Sequence, residues 1–240
     1  MASFNKLSRG GINLFETIIN HPNLLGLWIL NESDGNTVYD FTDNRNNGTI
    51  VGSPTKSKVI SGSYGFDFPG VASYVNIGNI AAFDFERTSP FSGLCLVDPS
   101  ISLDGTIISK RASSGNNRGW QWKINSSRLP VLHLQSTGVN ALTVTTNAAL
   151  TNGIDYMLGF SYSGNSLASG VTFYKNGVVD ADTDTLDGLS TTIIDVGLLT
   201  IATWNGVNEL MNGDLSFIAM FNDDLPDTDF RKFAHAIGML

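Results

Sequence analysis

A chain of 240 residues, 42% hydrophobic and only 15% charged, can bury a full core without disulfide or metal staples and lacks the composition of a disordered polymer. Lys and Arg total 14 against 22 Asp and Glu, a formal net charge of -8, which argues against nucleic acid and anionic membranes as partners. Cys95 is the single cysteine, so neither an intrachain disulfide nor a cysteine zinc site can form, and in Gly93–Val97 it reads as a small buried hydrophobe.

At the N-terminus, Lys6 and Arg9 precede a short apolar stretch that Glu16 interrupts, with no small-residue cleavage site after it. This does not read as a signal peptide, and no apolar run reaches the roughly 18 residues of a membrane span. The expected location is a virion or the cytoplasm. Residues 11–20 have helical spacing, with Leu14 and Ile18, joined by Phe15 and Ile19, on an apolar face. Asn13 is placed to cap this helix, Glu16 to complete a capping box, and His21-Pro22 to end it. Such a short helix needs a surface to pack on.

From residue 24 onward the apolar runs become short and β-branched or aromatic, split by Gly, Asn, Asp and Ser. The expected strands are Leu24–Leu30, Tyr64–Phe68, Ser73–Ile77, Phe91–Val97, Gly105–Ser109, Gly119–Ile124, Leu129–Leu134, Ala141–Thr145, Asp155–Tyr162, Gly170–Lys175, Thr192–Leu199 and Asp214–Phe221. In the last, alternation puts Leu215, Phe217, Ala219 and Phe221 on one face and Asp214, Ser216, Ile218 and Met220 on the other. Asn176-Gly177 is the strongest hairpin signal, because Asn-Gly accepts the positive φ of a type I′ turn. A closing helix is expected over residues 226–234, with Asp227 or Thr228 near its start. Many short strands with explicit turns predict an all-β, antiparallel two-sheet jelly-roll sandwich. The expected division is an N-terminal extension, residues 1–23, and one domain, residues 24–240.

Catalytic signatures are missing from the sequence. Asp84 and Glu86 share a face if extended, but Thr88-Ser89-Pro90 follows and they read as solvated loop residues. His133 alternates with Leu132 and Leu134 in an apolar strand, where a satisfied structural histidine is the commoner case. No G-x-S-x-G or H-E-x-x-H sequence occurs. The loops from Asn31 to Asn36 and around Asp40, Asp43 and Asn44 gather hard oxygen ligands of the kind calcium takes, and equally the residues of Asx turns. Trp28, Trp120 and Trp122 read as core. Trp204 sits among Asn205, Gly206 and Asn208 in a polar loop, as an aromatic platform with amides for a sugar would.

Several segments in order carry a family resemblance. They are Gly26–Glu32, Thr37–Asp40, Asn44–Ile50, Gly65–Phe68 with Tyr74–Gly78, Thr106–Lys110, the hairpin Phe173-Tyr174-Lys175-Asn176-Gly177-Val178, and Gly213–Asn222 with Leu225. Together they resemble the laminin G-like, concanavalin A-like lectin/glucanase superfamily, in its bacterial and phage type. The resemblance implies two curved antiparallel sheets, often with one calcium between the opening loop and the last strand. Asp40 is retained, while Asn31 and Ser216 stand where many relatives have Asp, so any Ca2+ should be weak. The alternating Glu-x-Asp-x-Glu strand of the glucanase branch is missing.

The sequence therefore points to a non-catalytic carbohydrate-binding module, not an enzyme. The expected ligand contacts are Trp204, Asn205, Asn208 and Tyr39, and the expected metal ligands Asn31, Asp40 and Asp43. The alternative is a structural virion protein, a capsid decoration or tail subunit that uses the sandwich for protein contacts. Partners would be a carbohydrate or another virion or cell-surface protein, without nucleic acid or membrane, in a homo-oligomer whose assembly element is the extension.

Overall fold

The computed structural model describes residues 8–9, 12–59, 63–112 and 117–240. In chain order the elements are β1 (Ser8–Arg9), β2 (Ile12–Asn13), α1 (Leu14–Ile19), β3 (Leu24–Ile29), β4 (Thr37–Val38), β5 (Gly48–Val51), β6 (Thr55–Val59), β7 (Ser63–Pro69), β8 (Tyr74–Gly78), β9 (Phe91–Pro99), β10 (Gly105–Arg111), β11 (Gly119–Ile124), β12 (Pro130–Thr137), β13 (Asn140–Thr146), β14 (Tyr156–Tyr162), β15 (Val171–Lys175), β16 (Val178–Asp180), β17 (Asp182–Asp187), β18 (Leu199–Ile201), β19 (Asn212–Phe221) and α2 (Asp227–Ile237). Apart from the β1–β2 ladder, the strands form two antiparallel sheets. One runs β17-β13-β12-β11-β10-β18-β8-β5-β4, the other β16-β15-β14-β9-β19-β7-β6, with β3 also on β19. This is the expected jelly-roll sandwich.

The core between the sheets is filled by alternate side chains of each strand. Trp120, Trp122 and Ile124 of β11 face inward together with Leu132, Leu134, Phe91, Phe160 and the fully buried Trp28. Cys95 is buried in the same core, and burial pushes its thiol pKa well up. A second apolar layer lies outside the β9–β19 sheet. There Leu27, Ile29, Leu94, Leu96, Phe217 and Phe221 meet Leu14 and Ile18 of α1 and Phe230 and Phe233 of α2. Phe230 stacks on Tyr174 at 3.8 Å and lies over Gly159, where a Cβ would come within 2.4 Å of its ring.

α1 begins where expected. The Asn13 Oδ1 accepts from the Phe15 amide at 3.0 Å, so the cap bond falls on the second helical residue. Leu14 and Ile18 are buried on the sandwich, and Phe15 packs edge-on against Phe41 at 5.7 Å. In the hairpin, Asn176 and Gly177 have φ of 52° and 78°, and Lys175 pairs with Val178.

Two expectations need correction. In β19 the register slips between Leu215 and Phe217, a bulge that breaks the alternation. Leu215 therefore joins Ile218 and Met220 in the inter-sheet core, while Phe217, Ala219 and Phe221 face the helices. The expected strand Thr192–Leu199 is a loop up to Leu199. Its backbone donors go to side chains, Ile193 to Glu86 Oε1 and Ile194 to Thr192 Oγ1.

Candidate functional site

The outer face of the nine-stranded sheet carries polar side chains because the inner positions of the same strands are apolar. One row crosses all nine strands in register. It runs Thr37, Thr49, Asn76, Thr200, Ser109, Gln121, His133, Thr143 and ends on Leu186. Neighbours in such a row are about 5 Å apart. The segment 202–211 lies over the middle of it like a strap. The Thr203 carbonyl accepts from Ser109 Oγ at 3.1 Å and Thr200 Oγ1 at 2.8 Å, and the Thr106 amide donates to the Glu209 carbonyl at 2.8 Å.

Beneath the strap a hydrogen-bonded network spans four strands. Gln121 Nε2 donates to Thr106 Oγ1 (2.8 Å) and to Glu209 Oε2. Lys123 bridges Asp104 Oδ2 (2.6 Å) and Glu209 Oε1 (3.0 Å). Burial would raise the Asp104 pKa, but Lys123 and the Ser126 amide outweigh it and hold it down. His133 has both ring nitrogens engaged, Nδ1 with Thr143 Oγ1 (2.6 Å) and Nε2 with Gln135 Oε1 (3.0 Å). Burial first, then the Arg111 charge, pull its pKa down to about 4, so it is neutral at pH 7.

Arg111 is the centre of the network. Only 8% exposed, it donates from Nε to the Asn117 carbonyl (2.9 Å), from Nη1 to Gln121 Oε1 (3.0 Å) and from Nη2 to Gln135 Oε1. Its guanidinium carbon lies 4.2 Å from the centre of the Trp204 ring. Trp204 is anchored by Nε1 on the Ala112 carbonyl (3.1 Å). Beside Arg111 opens a pocket of about 180 Å³ lined by Arg111, Ala112, Asp195, Val196, Gly197, Leu198 and Asn205. A wider cleft of about 420 Å³ borders the far end of the strap, but its carboxylates, Asp104 and Glu209, are both tied to Lys123.

The expected ligand contacts are brought together only in part. Trp204, Asn205 and Asn208 form one tight turn, with two backbone bonds between Trp204 and Asn208 and Asn205 Oδ1 accepting from Val207 N and Asn208 Nδ2. Asn205 lines the pocket, whereas Asn208 is exposed beyond it. The Trp204 ring has Arg111 over it, so it positions the arginine rather than offering that face to a ligand. Tyr39 is 53% exposed and follows β4, three strands away from β18 at the sheet edge. Arg111 and Asp195, which line the pocket, are not among the expected contacts. The available signal is the alternation of Gln121 and Lys123 with Trp120, Trp122 and Ile124, which marks an outer polar face on which Arg111 also lies.

Asn31, Asp40 and Asp43 do not form a cation cage. Asp40 is fully buried, and its Oδ1 accepts from Leu27 N (3.1 Å), Thr42 N (3.0 Å) and Thr42 Oγ1 (2.9 Å). Its Oδ2 accepts from Asn46 N and Thr42 Oγ1, both at 3.0 Å. Donors thus surround the carboxylate where calcium would need free oxygens, and Asp43 is exposed. Ser216 Oγ turns away to the Tyr64 carbonyl (3.1 Å). These residues as arranged do not fit a calcium ion, and among the described residues no group of three or more His, Cys, Asp or Glu is placed to hold a metal. Asp84 and Glu86 are not merely solvated. Asp84 pairs with the buried Lys110 at 2.5 Å, and Glu86 Oε1 accepts from the Arg87 amide at 2.6 Å.

No family model matches this chain, and no curated protein does. Solved structures do match. The binding domain of Paraclostridial Mosquitocidal Protein 1 superposes with a TM-score of 0.68 at 12% identity, over 88% of this chain and 52% of that one. What the two share is the antiparallel two-sheet β-sandwich. The binding domain of Botulinum Neurotoxin DC, solved in complex with SialylT, gives 0.63 at 16% identity over 90% of this chain and 52% of that one. Trypanosoma rangeli sialidase, solved with the inhibitor DANA, gives 0.60 at 12% identity over 90% and 33%. The chain thus spans about half or less of the length of these proteins. At such identities the likeness carries the fold, not the activity.

Proposed function

We propose that this protein is a non-catalytic carbohydrate-binding module of the laminin G-like type, which takes one sugar ring in the pocket beside Arg111. The observation that carries this reading is the composition of that pocket. Arg111, Asp195 and Asn205 line about 180 Å³ together with the exposed aliphatic residues Val196 and Leu198. Donors and acceptors for hydroxyls beside an apolar wall are what a pyranose needs. The volume is below the roughly 300–1,000 Å³ of common small-molecule sites, which suits a single terminal ring. The lectin-like fold supports a carbohydrate role in general, and two of the similar structures were solved with SialylT and with DANA.

Two features support a binding role over catalysis. His133 is neutral with both nitrogens occupied, so it is a poor general base. Asp104 and Glu209 line one cleft, but both are ion-paired to Lys123, which does not favour a free acid–base pair there. A glycan array with the wild type and Asp195→Ala tests the reading. The wild type should retain a restricted set of glycans and the variant should lose them, with melting temperature unchanged. A blank array for the wild type would contradict it.

A further inference from the structure

A buried guanidinium normally sits against a carboxylate, since an unpaired charge out of water is costly. Arg111 breaks that pattern. It is 8% exposed, yet among the described residues no carboxylate oxygen lies within 4.0 Å of it. Its acceptors are the Asn117 carbonyl and the neutral side-chain amides of Gln121 and Gln135, and the Trp204 ring lies under its face. These use three of its five N–H groups, and the pocket opens beside it. The neighbouring cation Lys110 has its own partner in Asp84, and Lys123 has Asp104 and Glu209. Arg111 is thus a fixed, desolvated cation at a pocket wall with no carboxylate in contact, Glu209 acting on it only at longer range. Burial lowers its pKa to about 10, and Glu209 pulls the other way, so it stays charged at neutral pH.

We propose that the pocket is selective for an acidic sugar, whose carboxylate pairs with Arg111 while Asp195 and Asn205 take ring hydroxyls. This rests on the carbohydrate reading above and adds the charge class. The protein's overall charge of -8 disfavours anions at long range, so selectivity must come from the short-range pairing. Asp195 lines the same pocket and repels a carboxylate on its own side, which fixes the ring orientation with the acid group toward Arg111.

The test is calorimetric titration of the full chain with methyl β-D-glucuronide, methyl β-D-glucoside and sodium acetate. A charge-assisted pair in a desolvated pocket should favour the glucuronide by about tenfold or more over the glucoside, and the preference should shrink with added salt. Arg111→Gln keeps donors but removes the charge, and should bring the two glycosides to equal affinity. Should Arg111→Gln lower the melting temperature so far that it is unfolded at the assay temperature, the salt series on the wild type decides. Equal binding of both glycosides to the wild type overturns the charge selectivity and leaves sugar binding standing. Acetate binding as tightly as the glucuronide overturns the sugar part. Binding of none of the three, together with a blank glycan array, overturns both readings.

Discussion

Asp40 shows how a single buried carboxylate can hold a loop by accepting from the chain's own donors. Its position in the Asp/Asn-rich opening loop suggested a metal ligand, yet it serves as the acceptor that closes the loop 40–46 onto β3. The carboxylate substitutes for backbone pairing, and sequence does not reveal whether donors or a cation will face it. Asp40→Asn puts an NH2 group toward donors, leaving buried N–H groups unpaired at about 1–3 kcal/mol each. Urea unfolding should show a loss of about 3 kcal/mol with an unchanged m value, and a loss under about 1 kcal/mol would contradict this role. By the same geometry, millimolar calcium should leave the melting temperature where it is. A rise of several degrees would show that a cation displaces those donors. His133 offers a second residue-scale check. Its imidazole NMR signals should stay those of the neutral ring down to pH 5, because burial and Arg111 hold its pKa at about 4. Titration near pH 6.5 would mean that the network around Arg111 is open to water.

Strand order creates a feature that no single strand announces. Asp98 of β9, Asp214 of β19 and Asp67 of β7 are direct cross-strand neighbours. Burial raises the pKa of Asp214 and of Asp98, and for Asp214 the charges of Asp67 and Asp98 add to it, against a hydrogen bond from Ser57. A carboxyl whose folded pKa lies above its unfolded value of about 3.9 gives the folded state more bound protons between the two. The fold therefore gains stability as pH falls through the folded pKa, and that gain is lost again as pH rises. Like charges directly opposed cost about 0.2–1 kcal/mol. Asp214→Asn should thus stabilise the protein by roughly that amount at pH 7 and by less near pH 4.5. His133 contributes the opposite slope in both proteins, so the difference between variant and wild type isolates the aspartate row. A variant less stable than wild type at pH 7 would contradict the argument.

Most of this element-scale architecture was readable where alternation was regular. Gly119–Ile124 coincides with β11, and the Asn-Gly hairpin lies where its φ preference puts it. What escaped was set by context. The acidic strand Asp182–Asp187 is exposed along its length at a sheet edge, where charge guards against edge pairing and removes the hydrophobic signal. The bulge at Leu215–Phe217 depends on two partner strands, and nothing local marks it. For α1, the apolar face is spent on the sandwich through Leu14 and Ile18. Leu14→Ala should cost about 2–5 kcal/mol, and light scattering of a chain starting at Pro22 should show an unchanged oligomeric state. A drop to a smaller species would assign the segment to assembly instead.

At the scale of the whole molecule, two apolar layers and two helices leave one broad polar face free, and the strap 202–211 turns part of it into a pocket. Composition marks a net acidic chain, and the loop around Trp204 stands out by its residues. The pocket itself was not legible, because Arg111, Asp195 and Asn205 come from three separate segments that only the sheet order joins. The most direct test of the account is amide NMR mapping of the isotope-labelled protein with the best glycan from the array. Shifts should concentrate at Arg111, Ala112, residues 195–198 and Asn205. Shifts centred on Tyr39 and the loop 40–46, with the Arg111 pocket silent, would contradict it.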